Sequence, residues 1–262
     1  MDIRHDPLYR IAYIRFKGDL RDFTNDSVSD NIQVARFKGK PSLKDTIESL
    51  GVPQVEIGKT EKDEEIIALD SQLHGGEWIS VFPKKYVYQD EELKSANEMY
   101  LPTPPGFILD GHLGKLAVKM RMAGIDTDYE TQRSDDRIVA EAVQQNRVVL
   151  TRDIGLLKHK KLLYGRWIRN DQPLDQWIEV MLHFRLWLFV NSGIRCTHCN
   201  TILADVAFEE VADKLPKLVR ERKPEIKQCP ACKHLYWRGT HYRNFMDELK
   251  YVIKRAKNVS YR

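Results

Sequence analysis

The spacing of apolar positions changes several times along the chain, and each change marks an element. Residues 9–16 are dense in β-branched and aromatic side chains, and Ile32–Phe37 alternates apolar with polar positions, so both predict strands. From Ser42 the period lengthens. Leu43, Ile47 and Leu50 fall on one helical face, Ser42 is placed to cap the first N–H groups, and Gly51 supplies the stop. Apolar runs follow at 54–57 and 66–69, then at Trp78–Pro83 after Gly75 and Gly76. A strand pair, a helix and a returning strand predict a β-grasp, ubiquitin-like α+β domain over residues 1–83. No cluster of nucleophile, base or metal ligands falls in it, which points to recognition or scaffolding.

Residues 84–106 read as a linker. Its acidic middle, Asp90, Glu91 and Glu92, is compatible with a short helix, and Pro102, Pro104 and Pro105 hold the end extended. Strands and helices then alternate over residues 107–190. Buried Phe107–Leu109 runs into Asp110, and the helix after it carries Leu113, Leu116, Ala117 and Met120 on one face, with Gly124 as its stop. A strand at 125–129 leads to a helix from Asp135 that buries Ile138, Val139, Ala142 and Val143. The run Val148–Thr151 is a buried strand that stops at Arg152 and Asp153. A further strand at 166–169 precedes a long helix, opened by Pro173 and continuing through Val190, with Leu174, Trp177, Ile178, Met181, Leu182 and Leu188 along it. This βαβαβ order predicts a parallel sheet with right-handed crossovers.

Chemistry then enters at the strand ends. Ligands of open parallel sheets bind at the carboxyl ends of strands, where this chain places Asp110 and Asp153, with Asp135 and Asp136 opening the helix between them. Carboxylates from separate elements suit magnesium or manganese, which want hard oxygen ligands, and such ions serve phosphodiester chemistry. Each acid taken singly is equally at home as a turn former or helix cap.

All four cysteines lie in two Cys-x-x-Cys pairs, Cys196 with Cys199 and Cys229 with Cys232. In a chain whose first residues show no signal-peptide core, this pattern favours a closed tetrahedral zinc site with a structural role over disulfides, with iron–sulfur a minor alternative. Residues 191–262 are accordingly read as a zinc ribbon, lengthened by an insertion at 205–227, and a C-terminal helix. The charge is uneven: residues 154–262 hold 21 basic and 11 acidic side chains, a net +10, while the rest is net acidic. That suits a polyanion partner. No apolar run reaches bilayer length, so no membrane contact is expected and the cytoplasm is the default location.

Several ordered motifs carry a resemblance. Asp135 to Ala142, then Arg147 to Asp153, resemble the second half of a PIN-domain ribonuclease. The stretches from Asp110 to Ala117, Arg121 to Asp126, Arg195 to Asn200, Cys229 to Lys233 and Tyr236 to His241 resemble more specifically the Mut7-C ribonuclease family. Residues 37–53 resemble the ubiquitin-like domain often fused upstream of it. The resemblance implies a PIN-like parallel sheet with a zinc ribbon, and a carboxylate site in which Asp110, Asp135 (or Asp136) and Asp153 hold magnesium or manganese. One position has no counterpart: PIN nucleases carry a fourth acid on a helix between the first strand and the Asp135-type motif, whereas Asp126, Asp128 and Glu130 fall on or near a strand. Lys119, Arg121, Arg152, Arg238 and His241 are candidates to contact RNA phosphates, each otherwise an ordinary surface group. The expected function is therefore a metal-dependent ribonuclease aided by its ribbon, with RNA as partner and a protein partner for the ubiquitin-like domain. The alternative is a non-catalytic RNA-binding or adaptor protein that keeps the fold.

Overall fold

The computed structural model describes residues 9–24, 32–87 and 99–260. The short helix expected in the middle of the linker falls at 88–98, outside them. By contact density the chain forms two units, residues 1–103 with 153–167, and residues 104–152 with 168–262.

In the first unit, β1 (Arg10–Phe16) and β2 (Ile32–Phe37) form an antiparallel hairpin, followed by α1 (Leu43–Ser49), β3 (Ile57–Lys62), β4 (Glu65–Ile67) and β5 (Trp78–Pro83). The sheet order is β2-β1-β5-β3-β4, with β5 parallel to β1 and antiparallel to β3. This mixed sheet crossed by one helix is the expected β-grasp. Alternation works as read: Ala12, Ile14 and Phe16 face inward with Ile79 and Val81, and Leu43 and Ile47 of α1 close the core. Ser42 caps α1 by accepting from Asp45 N at 3.0 Å. Residues 54–56 differ from the reading, forming a 3-10 turn before β3. A short parallel pair, β6 (Tyr86–Val87) with β7 (Met99–Tyr100), follows β5.

The second unit is built on three parallel strands in the order β10-β8-β9: β8 (Phe107–Leu109), β9 (Thr127–Tyr129) and β10 (Val148–Thr151). Crossovers α2 (Gly114–Met122) and α3 (Asp135–Gln145) join them. Every residue of β8, and Val148, Val149 and Leu150 of β10, is fully buried, as expected of a sheet covered on both faces. Ile138, Val139 and Ala142 are buried as expected on α3, but Val143 is 42 % exposed. After β10 the chain makes α4 (Ile154–Leu157) and β11 (Gly165–Trp167), both in the first unit, then α5 (Pro173–His183).

The helix expected through Val190 ends at His183. Phe184 and Leu186 are both buried, and the backbone turns between them with Arg185 left-handed at φ 48°. Burial of those two side chains overrides the helical period, leaving Leu188 at 53 % exposure. The ribbon follows as the antiparallel sheet β12 (Ala204–Val206), β13 (Ile226–Gln228) and β14 (Leu235–Trp237), with α6 (Phe208–Val211) and α7 (Lys217–Arg222) in the insertion. Last comes α8 (Thr240–Ser260), which buries Phe245, Leu249, Val252 and Ala256 and packs on α5. No helix among the described residues is long and apolar enough to cross a membrane.

A buried ion-pair group fixes β11 in the first unit. Arg166 donates to Glu56 at 2.9 Å and to Asp19 at 2.6 Å, while Trp167 N donates to the other oxygen of Glu56 at 2.6 Å. Glu56 is 2 % exposed, so deleting it leaves the Arg166 charge in a low-dielectric setting. Glu56→Ala is expected to lower the stability of this unit by about 3–5 kcal/mol, read from its denaturant midpoint. An unchanged midpoint would show that the group contributes nothing.

Candidate functional site

The carboxyl end of β8 is where the second unit concentrates polar groups. Asp110 follows β8 directly, is 6 % exposed, and donates its N–H to Leu150 O of β10 at 3.1 Å. One carboxylate oxygen accepts from His112 N at 2.8 Å, capping the 3-10 turn that leads into α2. The other accepts from the Thr151 hydroxyl and from Arg152 N. The loop before α3 crosses the same edge: a Cβ on Gly111 would stand 2.6 Å from Thr131 O, and Tyr129 Oη donates to Gly111 O at 3.0 Å. Only glycine admits that approach. Asp135 and Asp136, four and five residues beyond Thr131, are exposed in the first turn of α3, where helix N–H groups favour anions. Asp153, in the first unit, caps α4 by accepting from Gly155 N at 2.7 Å.

Oxygen donors of this kind suit a hard divalent ion, and the three hydrogen bonds to Asp110 leave it acceptor capacity. Among the described residues, however, the only group of three or more His, Cys, Asp or Glu side chains gathered closely enough to hold an ion consists of the cysteines.

Cys196, Cys199, Cys229 and Cys232 place their sulfurs within 4.8 Å of one another. Cys196 to Cys232 is 3.5 Å and Cys199 to Cys229 is 3.4 Å, far beyond a disulfide bond. Tetrahedral zinc with sulfur at about 2.3 Å needs sulfurs roughly 3.8 Å apart, so the pocket fits it with a few tenths of an ångström of opening. The two knuckles are built alike. Asn200 N donates to Cys196 O and Lys233 N to Cys229 O, and Asn200 and Lys233 are both left-handed, with φ of 67° and 63°. Crowding splits the thiols. Burial resists ionisation of Cys199, but hydrogen bonds from Thr201 and contact with neighbouring sulfurs bring it down to about 6. Cys232 is pushed up to about 12, because burial and the three other sulfurs outweigh its bond from the His234 backbone. Four thiolates at this spacing need a cation among them. The rings of His198 and His234 lie with centroids 4.3 Å apart, tilted by 38°, and both are exposed.

Two polar groups hold the first knuckle to the sheet. Arg121, 3 % exposed, donates to Thr127 O (2.8 Å) and Tyr129 O (3.4 Å) of β9 and to Thr197 O (3.0 Å) and His198 O (2.9 Å) of the knuckle. Asp126 receives Arg147 at 2.8 Å and Asn200 Nδ2 at 2.7 Å, with Arg195 at 3.7 Å. Burial alone would raise the Asp126 carboxyl, but these partners hold it below its ordinary value. Asp128 and Glu130 are engaged with Arg133. Sequence reading missed Thr151 and Asn200, and had weighed Asp126 only as a possible fourth acid. The clue was available in Arg195 and Asn200, which flank the first cysteine pair.

The other basic candidates are dispersed. Lys119 pairs with Glu248 of α8, and Arg152 pairs with Asp171. Arg238 and His241 are exposed and line a cavity beside β14.

Comparison with known families places two matches on this geometry. A family model described as Mut7-C RNAse domain matches residues 105–249, covering the parallel sheet, α5 and the ribbon. A second, described as Mut7-C ubiquitin, matches residues 9–88. No curated protein and no solved structure matches the chain.

The geometry sets two expectations. Replacing Cys196 and Cys229 by Ser should abolish zinc binding, measured as metal content of the purified chain, and full retention would refute the ribbon assignment. The lowered Asp126 carboxyl stabilises the fold above its ordinary pKa of about 4 and loses that contribution as pH falls through its depressed value. Asp126→Asn should therefore destabilise the second unit at neutral pH and flatten the acid limb of its stability profile. Parallel acid limbs in the variant and the parent would contradict this assignment.

Proposed function

Because this chain belongs to the Mut7-C RNAse domain family, we propose that it is a metal-dependent ribonuclease that hydrolyses RNA phosphodiester bonds at the carboxyl end of β8. The observation that carries the reading is the buried carboxylate of Asp110, fixed by His112 N, the Thr151 hydroxyl and Arg152 N where ligands of parallel sheets bind. Magnesium or manganese would be held by Asp110 with Asp135, or Asp136 in its place; Asp153, the further ligand expected from the sequence, belongs to the first unit. When bound, such an ion polarises the phosphodiester and offsets charge that builds on its oxygens.

The chain's own contribution is orientation. Thr151 and the capped turn set the direction of the Asp110 carboxylate before any ligand arrives, so no reorganisation is needed at the reaction. Gly111 lets the loop before α3 lie close to the Asp110 turn, which supports Asp135 and Asp136, four and five residues further on, as its companions. The net charge of +10 over residues 154–262 supports backbone attraction of RNA. The ubiquitin match supports a protein partner for the first unit. A four-thiolate zinc site suits a reducing compartment, which supports a cytoplasmic location.

A second reading, an RNA-binding or adaptor protein that does not cleave, is favoured by the absence of the acids from any ion-holding group among the described residues. Asp135→Asn and Asp136→Asn separate the two, because both side chains are exposed and their loss leaves the core intact. The double variant is expected to lose cleavage of a labelled single-stranded RNA by more than about 100-fold with magnesium or manganese present, while still binding it. RNA left intact by the parent chain, or cut equally well by the variant, would exclude the hydrolytic reading.

A further inference from the structure

We propose that the cavity beside β14 is a binding site for one nucleotide of single-stranded RNA, separate from the carboxylate edge. The proposal rests on the RNA reading above and adds a location and a mode of recognition to it. The cavity has a volume of about 490 Å³ and is enclosed by the end of α2, the stretch after α5, β14 and the start of α8. That lies within the roughly 300–1,000 Å³ common for small-ligand sites.

Its lining combines what a nucleotide needs. Trp237 and Tyr242 are half-buried aromatic surfaces, and Val118 and Met122 of α2 add an apolar wall. Base stacking on such rings contributes about 1–3 kcal/mol per base. Arg238 and His241 supply donors for a phosphate, and neither makes a hydrogen bond or ion pair among the described residues. This sets them apart from Arg121, Arg147, Arg195 and Lys119, all of which are engaged within the fold. The first turn of α8, which begins at Thr240, adds backbone N–H groups with no helical partner beside these cations. Ser192 Oγ, also in the lining, is buried and has no hydrogen-bond partner. Glu225 is the one acid in the lining, against Arg195, Lys227 and Arg238.

The site is distinct from the Asp110 edge. Asp110 caps the turn that enters α2, whereas Val118 lies midway along the helix and Met122 ends it, and a nine-residue helix is about 13 Å long. One nucleotide does not reach both places. A strand gripped at the cavity can present a different phosphodiester to the carboxylates. The ring faces also select for unpaired RNA, because bases in a duplex are already stacked and cannot be splayed onto a protein ring without breaking pairs.

The test is fluorescence anisotropy of a short labelled single-stranded oligoribonucleotide with the full zinc-loaded chain, titrated over a range of salt. Arg238→Ala and His241→Ala are each expected to weaken binding several-fold, and Arg238→Ala to reduce the salt slope by about 1. Lys250→Ala, an exposed α8 position 74 % accessible at its side chain, is expected to bind like the parent. The duplex of the same sequence is expected to compete poorly. Parent-like binding by both cavity variants, or an equal loss in Lys250→Ala, overturns the site; if the parent still binds or cleaves RNA in that case, the ribonuclease reading stands. A parent that neither binds nor cleaves RNA removes both.

Discussion

Arg121 donates from within the protein to two carbonyls of β9 and two of the first zinc knuckle, and the placement of the ribbon against the parallel sheet depends on it. Burial works against its charge, while Asp128 and the neighbouring thiols Cys196 and Cys199 favour it. A guanidinium does not give up its proton in a protein, so its charge must be met by acceptors wherever it lies. Half of those acceptors exist only while residues 196–199 keep the knuckle conformation. Zinc at the cysteines would therefore maintain the acceptors of a buried charge as well as close its own loop, and failure at either point would expose the other.

The opposite end of α2 follows a different logic. Asp110 is a buried carboxylate held by the N–H of its own turn and, from the end of β10, by the Thr151 hydroxyl and the N–H of Arg152. That makes its position part of the sheet. Asp135 and Asp136 are exposed, in the first turn of α3, where the helix dipole favours negative charge. One fixed carboxylate and two solvated ones suit a site in which a single ligand is preset and the others close on what binds.

Local signals made most of the fold legible. The inward residues of β1, the Ser42 cap, the buried run of β10 and the paired cysteines all express period, capping or spacing within a few residues. What stayed hidden was pairing across long separations. Glu56 and Arg166 are 110 residues apart, and a lone Glu beside Val55 and a lone Arg beside Trp167 look like ordinary surface charges. Their meeting explains why residues 153–167 join the first unit although they continue the α/β sequence pattern. The helix expected through Val190 shows the same limit from another side, because its apolar period persists while Phe184 and Leu186 turn inward. Arg121 and Arg152 look alike in sequence, yet one is buried among carbonyls and the other pairs with Asp171 at the surface. Only tertiary contacts separate them.

The zinc ribbon gains a second meaning from this arrangement. Four cysteine ligands would leave a zinc ion no open position and so no direct part in chemistry, while β14 carries Trp237, which lines the cavity proposed for the nucleotide. Tyr236 bonds to the Cys196 sulfur at 3.1 Å and accepts from Thr197 N at 3.0 Å, joining β14 to the opposite knuckle. Trp237 and Arg238, both in the cavity lining, come next in the chain, so their direction is set within two residues of the Tyr236 bond to Cys196. An ion at the cysteines would in this way support the proposed recognition without touching the ligand. β13 contributes as well: its Lys227 lines the cavity and pairs with Asp205 on β12.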